Sequence, residues 1–223
     1  MESASVPTRD PTAGDGARAS EVVQAIERNS WVPADPGPLG LAGFAMTTFV
    51  LSMFNADIVS TAGEGVVLGL ALAYGGIAQL LAGMWEFRTG NTFGAVAFSS
   101  FGAFWISFFF LVQFTAPAEL TDPGVAGNAI GLYLWSWAIF TTYMFIASLR
   151  TTGAVALVFL LLAVTFVLLG AGNAGENRDV INWGGYLGIA TAAAAWYASF
   201  AAVTNSTFGR TVLPVVHLTR ERR

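Results

Sequence analysis

Six long apolar stretches dominate this chain, and they constrain its fold more than any other feature of the sequence. They cover residues 39–58, 65–87, 93–114, 127–149, 154–171 and 183–206. Each is close to the roughly 20 residues that a helix needs to cross the hydrocarbon core of a bilayer. The sequence therefore predicts an all-α membrane protein with six transmembrane helices.

The composition excludes several classes of protein. Charged residues make up 11% of the 223 residues, against about 25% in soluble domains. The net charge of −4 and the absence of a basic cluster argue against a nucleic-acid partner. There is no cysteine, which rules out disulfides and thiolate metal sites, and the one histidine, His217, follows the last stretch. We therefore expect no metal, no cofactor and no nucleic acid.

The positive charges predict how the helices are oriented. All 10 basic residues are arginines, and only Arg178 lies on the side of the membrane opposite to the others. Arg88, Arg150 and Arg210 follow the second, fourth and sixth stretches closely, so they weigh most in this argument. Because cytoplasmic loops carry an excess of arginine and lysine, both termini are predicted to be cytoplasmic.

The chain divides into three segments in sequence. Residues 1–34 are rich in small, polar and acidic residues, lack an apolar run of signal-peptide length, and are predicted to form a disordered or partly helical cytoplasmic tail. Residues 35–208 contain the six stretches and form the membrane domain. Residues 209–223 are predicted to form a second cytoplasmic tail.

Charged residues are absent from the centres of the predicted helices. Asp57 and Glu64 lie near one end of helices 1 and 2, and Glu86 lies near the other end of helix 2. Side chains at such positions can extend to water, so a structural role for Glu86 is expected ahead of a role in gating or proton coupling. Because buried carboxylates and histidines carry most intramembrane proton relays, a side-chain relay has few candidates here. An enzyme is not expected.

The polar side chains inside the spans are uncharged. Those that we single out as candidates for a solute path are Thr47, Thr48, Asn55, Gln79, Ser99 and Ser100. Such groups either bond neighbouring helices or replace part of the hydration shell of a small solute, and the sequence leaves both uses open. Asn55 and Gln79 are the stronger candidates, because an amide is costly to bury and offers donors and an acceptor together.

Pairs of glycines spaced four residues apart open helices 2, 4 and 6. The pairs are Gly65 and Gly69, Gly127 and Gly131, and Gly184 and Gly188. Small residues allow helix backbones to approach closely in lipid, where larger apolar side chains gain nothing over the lipid tails. The pairs therefore predict helix contacts, either within one protomer or between protomers.

Two segments carry information beyond composition. The first is a proline motif, formed by Asp35, Pro36, Gly37, Pro38, Leu39, Gly40 and Leu41, and the second reads Gly-Asn-Thr-Phe-Gly at residues 90–94. Further characteristic segments are Tyr-Gly-Gly-Ile-Ala-Gln at 74–79 and Phe-Gly-Arg-Thr-Val-Leu-Pro at 208–214. Together, over residues 35–214, they resemble the acetate uptake transporter family of the succinate–acetate permease type.

The resemblance implies a fold and a function. It implies a six-helix protomer in the cell (inner) membrane, assembled as a ring-shaped homohexamer, that passes acetate and related small carboxylates, succinate among them, through each protomer. The family is described as proton-linked, so the solute would move with a proton or as the protonated acid. The bulky side chains that narrow the family's path match Phe44, Phe101 and Leu162, which would otherwise be assigned to core packing. Paired prolines, which lack N–H groups, are expected to leave neighbouring backbone groups free to contact solute.

Three residues depart from the family's pattern. Asp35 replaces the usual asparagine and adds a negative charge at the cytoplasmic mouth. Phe101 stands where tyrosine is common, and Phe54 stands where histidine can occur. The loss of a phenol predicts a drier constriction that prefers the protonated acid or small neutral solutes.

Three classes of function follow from the sequence. The first is a transporter or channel for small carboxylates, in which facilitated passage is favoured and Glu86 is the candidate for proton coupling. The second is a channel for urea, amides or other small neutral solutes, because such six-helix oligomers also lack central charges. The third is a structural or sensory membrane protein, which the proline motif disfavours. Competition by acetate against urea flux would distinguish the first two.

Overall fold

A computed structural model describes residue 18, residues 20–22, residue 31 and residues 33–218 of the chain. In this part of the chain six helices are long and apolar enough to cross a membrane, which confirms the predicted set. They are α1 (Gly37–Asn55), α2 (Val66–Thr89), α3 (Thr92–Thr115), α4 (Pro123–Ser148), α5 (Gly153–Ala174) and α6 (Arg178–Phe208). The expected disorder of residues 1–34 falls almost wholly outside the described residues.

The helices begin and end at local signals that hydropathy does not report. α4 begins at Pro123, after the capping side chain of Asp122, and α6 begins after the capping side chain of Asn177. Both starts precede the predicted ones at 127 and 183, because proline and short polar caps favour a helix start whatever the hydropathy. α1 ends before the predicted position 58, since Asp57 has a φ of 58°, which an α-helix does not contain.

The helices pack as a closed ring in the order α1, α6, α5, α4, α3 and α2. The contact between α3 and α4 is the smallest in this ring. Since successive helices alternate in direction, α1, α3 and α5 begin at one end of the bundle and finish at the other. We call the first the proximal end and the second the distal end.

Glycines set the closest contacts between helices. Gly185 of α6 lies directly against the backbone of Ala56, just past the end of α1. A Cβ on Gly127 of α4 would come within 2.5 Å of the carbonyl oxygen of Asn173 on α5. The glycines of α4 and α6 therefore make contacts within the protomer, whereas a Cβ on Gly69 of α2 would meet none of the described atoms within 4 Å.

Residues 209–218, which we call the strap, run back across the proximal end of the bundle. Asn205 binds the strap through both atoms of its amide: its Oδ1 accepts from the N–H of Leu213 at 2.9 Å, and its Nδ2 donates to the Leu213 carbonyl at 2.8 Å. The N–H of Gly153 donates to the carbonyl of Val216 at 2.7 Å. The strap thereby joins the end of α6 to the start of α5.

Candidate functional site

A cavity of about 190 Å³ lies between α1, α3, α4 and α5 and extends from the middle of the bundle toward its distal end. Its wall is formed mainly by aromatic and aliphatic side chains. Polar side chains are contributed by Thr48, Ser52, Asn55, Glu64, Tyr133, Thr165 and Asn173. A mostly apolar wall with a few polar groups is typical of sites for small organic molecules.

Bulky side chains close the inner end of the cavity. Phe44 and Leu162 line it, and the ring of Phe44 lies 5.7 Å from the ring of Phe101, which is outside the lining. None of the three is more than 4% exposed, and all belong to one apolar cluster. We call these three residues the plug. The structure thus brings together the side chains that the resemblance assigned to a constriction, while their role in a solute path stays a prediction.

Phe101 is the centre of the aromatic packing in this region. Its ring lies 5.4 Å from Phe140 on α4 and 6.0 Å from Phe159 on α5, both measured between centroids. It stacks almost parallel on Phe166, with 5° between the ring planes. These rings pack together on the proximal side of the cavity.

The predicted polar candidates divide into two groups. Thr48 and Asn55 line the cavity, and outside its lining are Thr47, Gln79, Ser99 and Ser100. The hydroxyl of Thr47 donates to the carbonyl of Gly43 in the same helix at 2.9 Å. Ser99 lies directly against Gly83, at the contact between α2 and α3. Part of the predicted set therefore packs between helices, which was the alternative use of such residues.

Several of these polar atoms have unmet hydrogen bonds. Among the described residues, the buried side-chain atoms without a partner include Thr48 Oγ1, Gln79 Oε1, Ser99 Oγ and Trp105 Nε1. A buried donor or acceptor without a partner costs about 1–3 kcal/mol, and native proteins retain few of them. Because Thr48 and Trp105 also line the cavity, its wall includes side chains with hydrogen-bonding capacity that the protein itself does not use.

The distal mouth of the cavity carries an acidic side chain that the sequence analysis did not select. Glu64 precedes α2 and is the charged residue among those that line the cavity. Burial raises the pKa of the Glu64 carboxyl, and the nearby charge of Arg178 opposes that shift. Arg178 itself lies 3.6 Å from Asp57 and donates to the carbonyl of Phe54 at 3.2 Å. The only feature of the sequence that could have indicated this position is that Glu64 directly precedes Gly65, where the second apolar stretch begins.

The proline motif packs the start of α1 onto its neighbours. The carbonyl of Pro38 accepts a hydrogen bond from the hydroxyl of Ser199 on α6 at 2.7 Å. A Cβ on Gly40 would lie 2.6 Å from the ring of Phe98 on α3. The Pro38 carbonyl therefore already has a hydrogen-bond partner, because Ser199 of α6 reaches the motif. For this carbonyl the structure differs from the expectation that the paired prolines leave neighbouring backbone groups free to contact solute.

Glu86 lies at the proximal end, on the far side of the plug from the cavity. The residue is 2% exposed, although the sequence suggested that its side chain extends to water. The hydroxyl of Thr89 donates to Glu86 Oε2 at 3.1 Å, and Asn91 also hydrogen-bonds this carboxyl. The carboxyl is buried because Gly94 of α3 leaves space for it: a Cβ there would lie 2.7 Å from Glu86 Oε1.

Comparisons with known proteins agree on one group of relatives. The model of the GPR1/FUN34/yaaH family matches residues 20–220. Acetate permease A of Emericella nidulans is 45% identical over 197 residues, which are 82% of this chain and 66% of that protein. The succinate-acetate/proton symporter SatP of Escherichia coli K12 is 41% identical over 82% of this chain and 95% of its own length.

A solved structure has the same fold. It is described as the structure of the bacterial acetate channel SatP, and it superposes with a TM-score of 0.76 at 39% identity. The match covers 82% of this chain and 99% of the solved chain. The six-helix architecture found here is therefore that of the solved protein.

Proposed function

Because this chain belongs to the GPR1/FUN34/yaaH family, we propose that it transports acetate and related small carboxylates, succinate among them, across a membrane through its own six-helix bundle. The observation that carries the proposal is the cavity of about 190 Å³ that ends at the plug. The relatives are named as a permease, a symporter and a channel, and none of these is an enzyme.

The chemistry of the cavity fits a small carboxylic acid. Its apolar wall suits a methyl or methylene group, and hydroxyls and amides such as those of Ser52 and Asn55 suit carboxyl oxygens. Beyond the cavity, the plug is apolar and buried, which opposes the passage of a hydrated ion. The solute would therefore cross the plug together with a proton, or as the neutral acid.

The proposal includes an orientation and an assembly. Both termini would be cytoplasmic and the membrane would be the cell membrane, in line with the arginine distribution. The protomers would form a ring-shaped homohexamer. Large apolar side chains that face outward from α4 are available for contact with lipid or with another protomer: Leu132 is 66% exposed and Ile139 is 71% exposed. Native mass spectrometry of the solubilised protein would count the protomers.

The function is tested by uptake of radiolabelled acetate into proteoliposomes, at acidic and neutral pH, with and without a proton gradient. Wild type is compared with Asn55→Ala and Phe44→Ala, which change the cavity wall and the plug. Accumulation above equilibrium only with the gradient supports a coupled transporter, and equilibration faster than the acetic-acid leak of empty liposomes supports a channel. Uptake no faster than that leak rejects the proposal, and urea flux would then be measured.

Phe101→Tyr is expected to increase uptake of the anion relative to that of the neutral acid. The new hydroxyl would lie among the rings that pack around position 101, where it can donate a hydrogen bond to a passing carboxylate. A hydrogen bond to a charged group contributes about 1.5–3 kcal/mol, so a change on the order of tenfold in uptake at neutral pH is expected. The measurement is acetate uptake across a pH series; identical pH and substrate profiles would contradict the prediction.

A further inference from the structure

Glu64 poses an electrostatic problem for a cavity that takes up carboxylates. It is the charged residue among those lining the cavity, and it is an acid, while no basic side chain lines the wall among the residues that the structure describes. Two negative charges a few ångströms apart repel each other, and partial burial of Glu64 makes this repulsion stronger than in bulk water. Binding of a carboxylate in the cavity is therefore unfavourable while Glu64 is ionised.

The charged groups around the distal end do not remove this conflict. Besides Glu64, the charged residues in this region are Asp57, Glu119, Asp122, Glu176, Arg178 and Asp179. Arg178, at the start of α6, is the residue whose charge acts on Glu64. Arg178 also contacts the Asp57 carboxylate and the Phe54 carbonyl, and it does not line the cavity, so its charge acts on Glu64 but its guanidinium does not contact an anion bound there. The remaining charged residues of this end are all acidic and add no counter-charge for an anion.

Resting on the proposed function, we propose that Glu64 binds and delivers the proton that accompanies the solute. A proton from the distal solution first neutralises Glu64. The carboxyl O–H then donates to the incoming carboxylate in a short, charge-assisted hydrogen bond, which replaces repulsion with attraction. Anion binding in the cavity thus requires that Glu64 is protonated.

Transfer of that proton explains how the solute passes an apolar plug. The Glu64 O–H bond breaks and an O–H bond forms on the solute, so that acetate becomes acetic acid and Glu64 becomes a carboxylate. The neutral acid crosses between Phe44 and Leu162, and Arg178 stabilises the carboxylate left behind. Glu64 then takes up another proton from the distal solution, so one proton crosses with each acetate.

The environment of Glu64 favours this role. Burial raises the pKa of its carboxyl, so it retains a proton at a higher pH than a free glutamate does, while Arg178 limits the rise. A group whose pKa lies closer to the working pH exchanges protons more readily. Acetate binding and uptake should both weaken as the pH of the distal solution rises through this raised pKa.

Glu64→Gln tests the inference, since glutamine can donate a hydrogen bond to acetate but has no proton to give. Acetate uptake above the leak of empty liposomes should fall by about tenfold or more, as is usual when a proton donor is removed. Acetate binding to the purified protein, measured by calorimetry, should persist and no longer weaken with rising pH. Glu119→Gln, which removes an exposed acid of the same end outside the cavity lining, should behave as wild type.

The outcomes separate this inference from the proposed function. Uptake by Glu64→Gln at the wild-type rate with the wild-type pH profile would overturn the inference alone. If Glu64→Gln binds no acetate, Glu64→Asp is measured next. Because aspartate restores a carboxyl, this variant should take up acetate with a shifted pH profile. A folded Glu64→Asp protein that takes up no acetate would overturn the inference. Absence of acetate uptake by the wild type itself would instead reject the proposed function.

Discussion

Thr48→Phe is expected to reduce acetate uptake by about tenfold or more, which corresponds to at least about 1.4 kcal/mol on the transport barrier. Thr48 is on the cavity wall one helical turn from Phe44, so a phenyl ring at this position fills much of a cavity of about 190 Å³. Thr48 Oγ1 is buried without a hydrogen-bond partner among the described residues, so its removal breaks no described bond. The measurement is radiolabelled acetate uptake, with the leak of empty liposomes subtracted.

Met46→Phe is the matched control for this variant. Met46 belongs to the same helix but is 39% exposed and does not line the cavity, so the same ring is added on the outside of the bundle. We expect uptake close to that of the wild type. Equal uptake by Thr48→Phe and Met46→Phe, with both proteins folded, would show that the cavity is not the solute path.

Gly185→Val is expected to lower the free energy of unfolding by about 3 kcal/mol, at the upper end of the usual range for overpacking. The added side chain would overlap the backbone of Asn55 and Ala56. Backbone atoms cannot move aside as the end of a flexible side chain can, so α1 and α6 would have to separate. Thermal unfolding in detergent measures the effect.

Gly69→Val is the control for the glycine substitution. A Cβ at Gly69 would meet no described atom within 4 Å, although the residue is also a glycine inside a spanning helix. Because valine has a higher helix propensity than glycine, the midpoint temperature of thermal unfolding should stay unchanged or rise slightly. A similar loss of stability in both variants would contradict the role assigned to the contact between Gly185 and α1.

The number of helices and their order could be predicted from the sequence because lipid imposes one simple requirement, an apolar segment of sufficient length. The starts of α4 and α6 could not, since they depend on the caps Asp122 and Asn177 rather than on hydropathy. Caps act through a few local hydrogen bonds, so they do not show in a hydropathy that is averaged over 20 residues.

The candidate site was harder to predict than the fold. Thr47 and Thr48 are adjacent and looked equivalent, yet Thr47 packs against Gly75 of α2 whereas Thr48 lines the cavity. The difference depends on the rotation of α1 about its axis. Thr48 shares a helical face with Ser52 and Asn55, which also line the cavity, whereas Thr47 lies on a neighbouring face; both threonines were selected by their polarity alone. Glu64 was missed for a related reason: its position at the cavity depends on how the connection before α2 folds back.

The plug was identified only through the resemblance to a family. Phe44, Phe101 and Leu162 lie on three different helices, and nothing in their local sequence distinguishes them from other apolar residues. Contacts between such distant positions are set by tertiary packing. The periodicity of apolar residues in a single sequence does not show which residues of different helices pack against each other.

The strap also bears on how the protein is made. Translation produces residues 209–218 after all six helices, yet the N–H of Gly153 finds its partner, the carbonyl of Val216, only in this segment. The start of α5 therefore stays incomplete until the ribosome has passed the strap. A chain cut short at residue 208 would lack the carbonyls of Val215 and Val216, which accept hydrogen bonds from the N–H groups of Ala154 and Gly153.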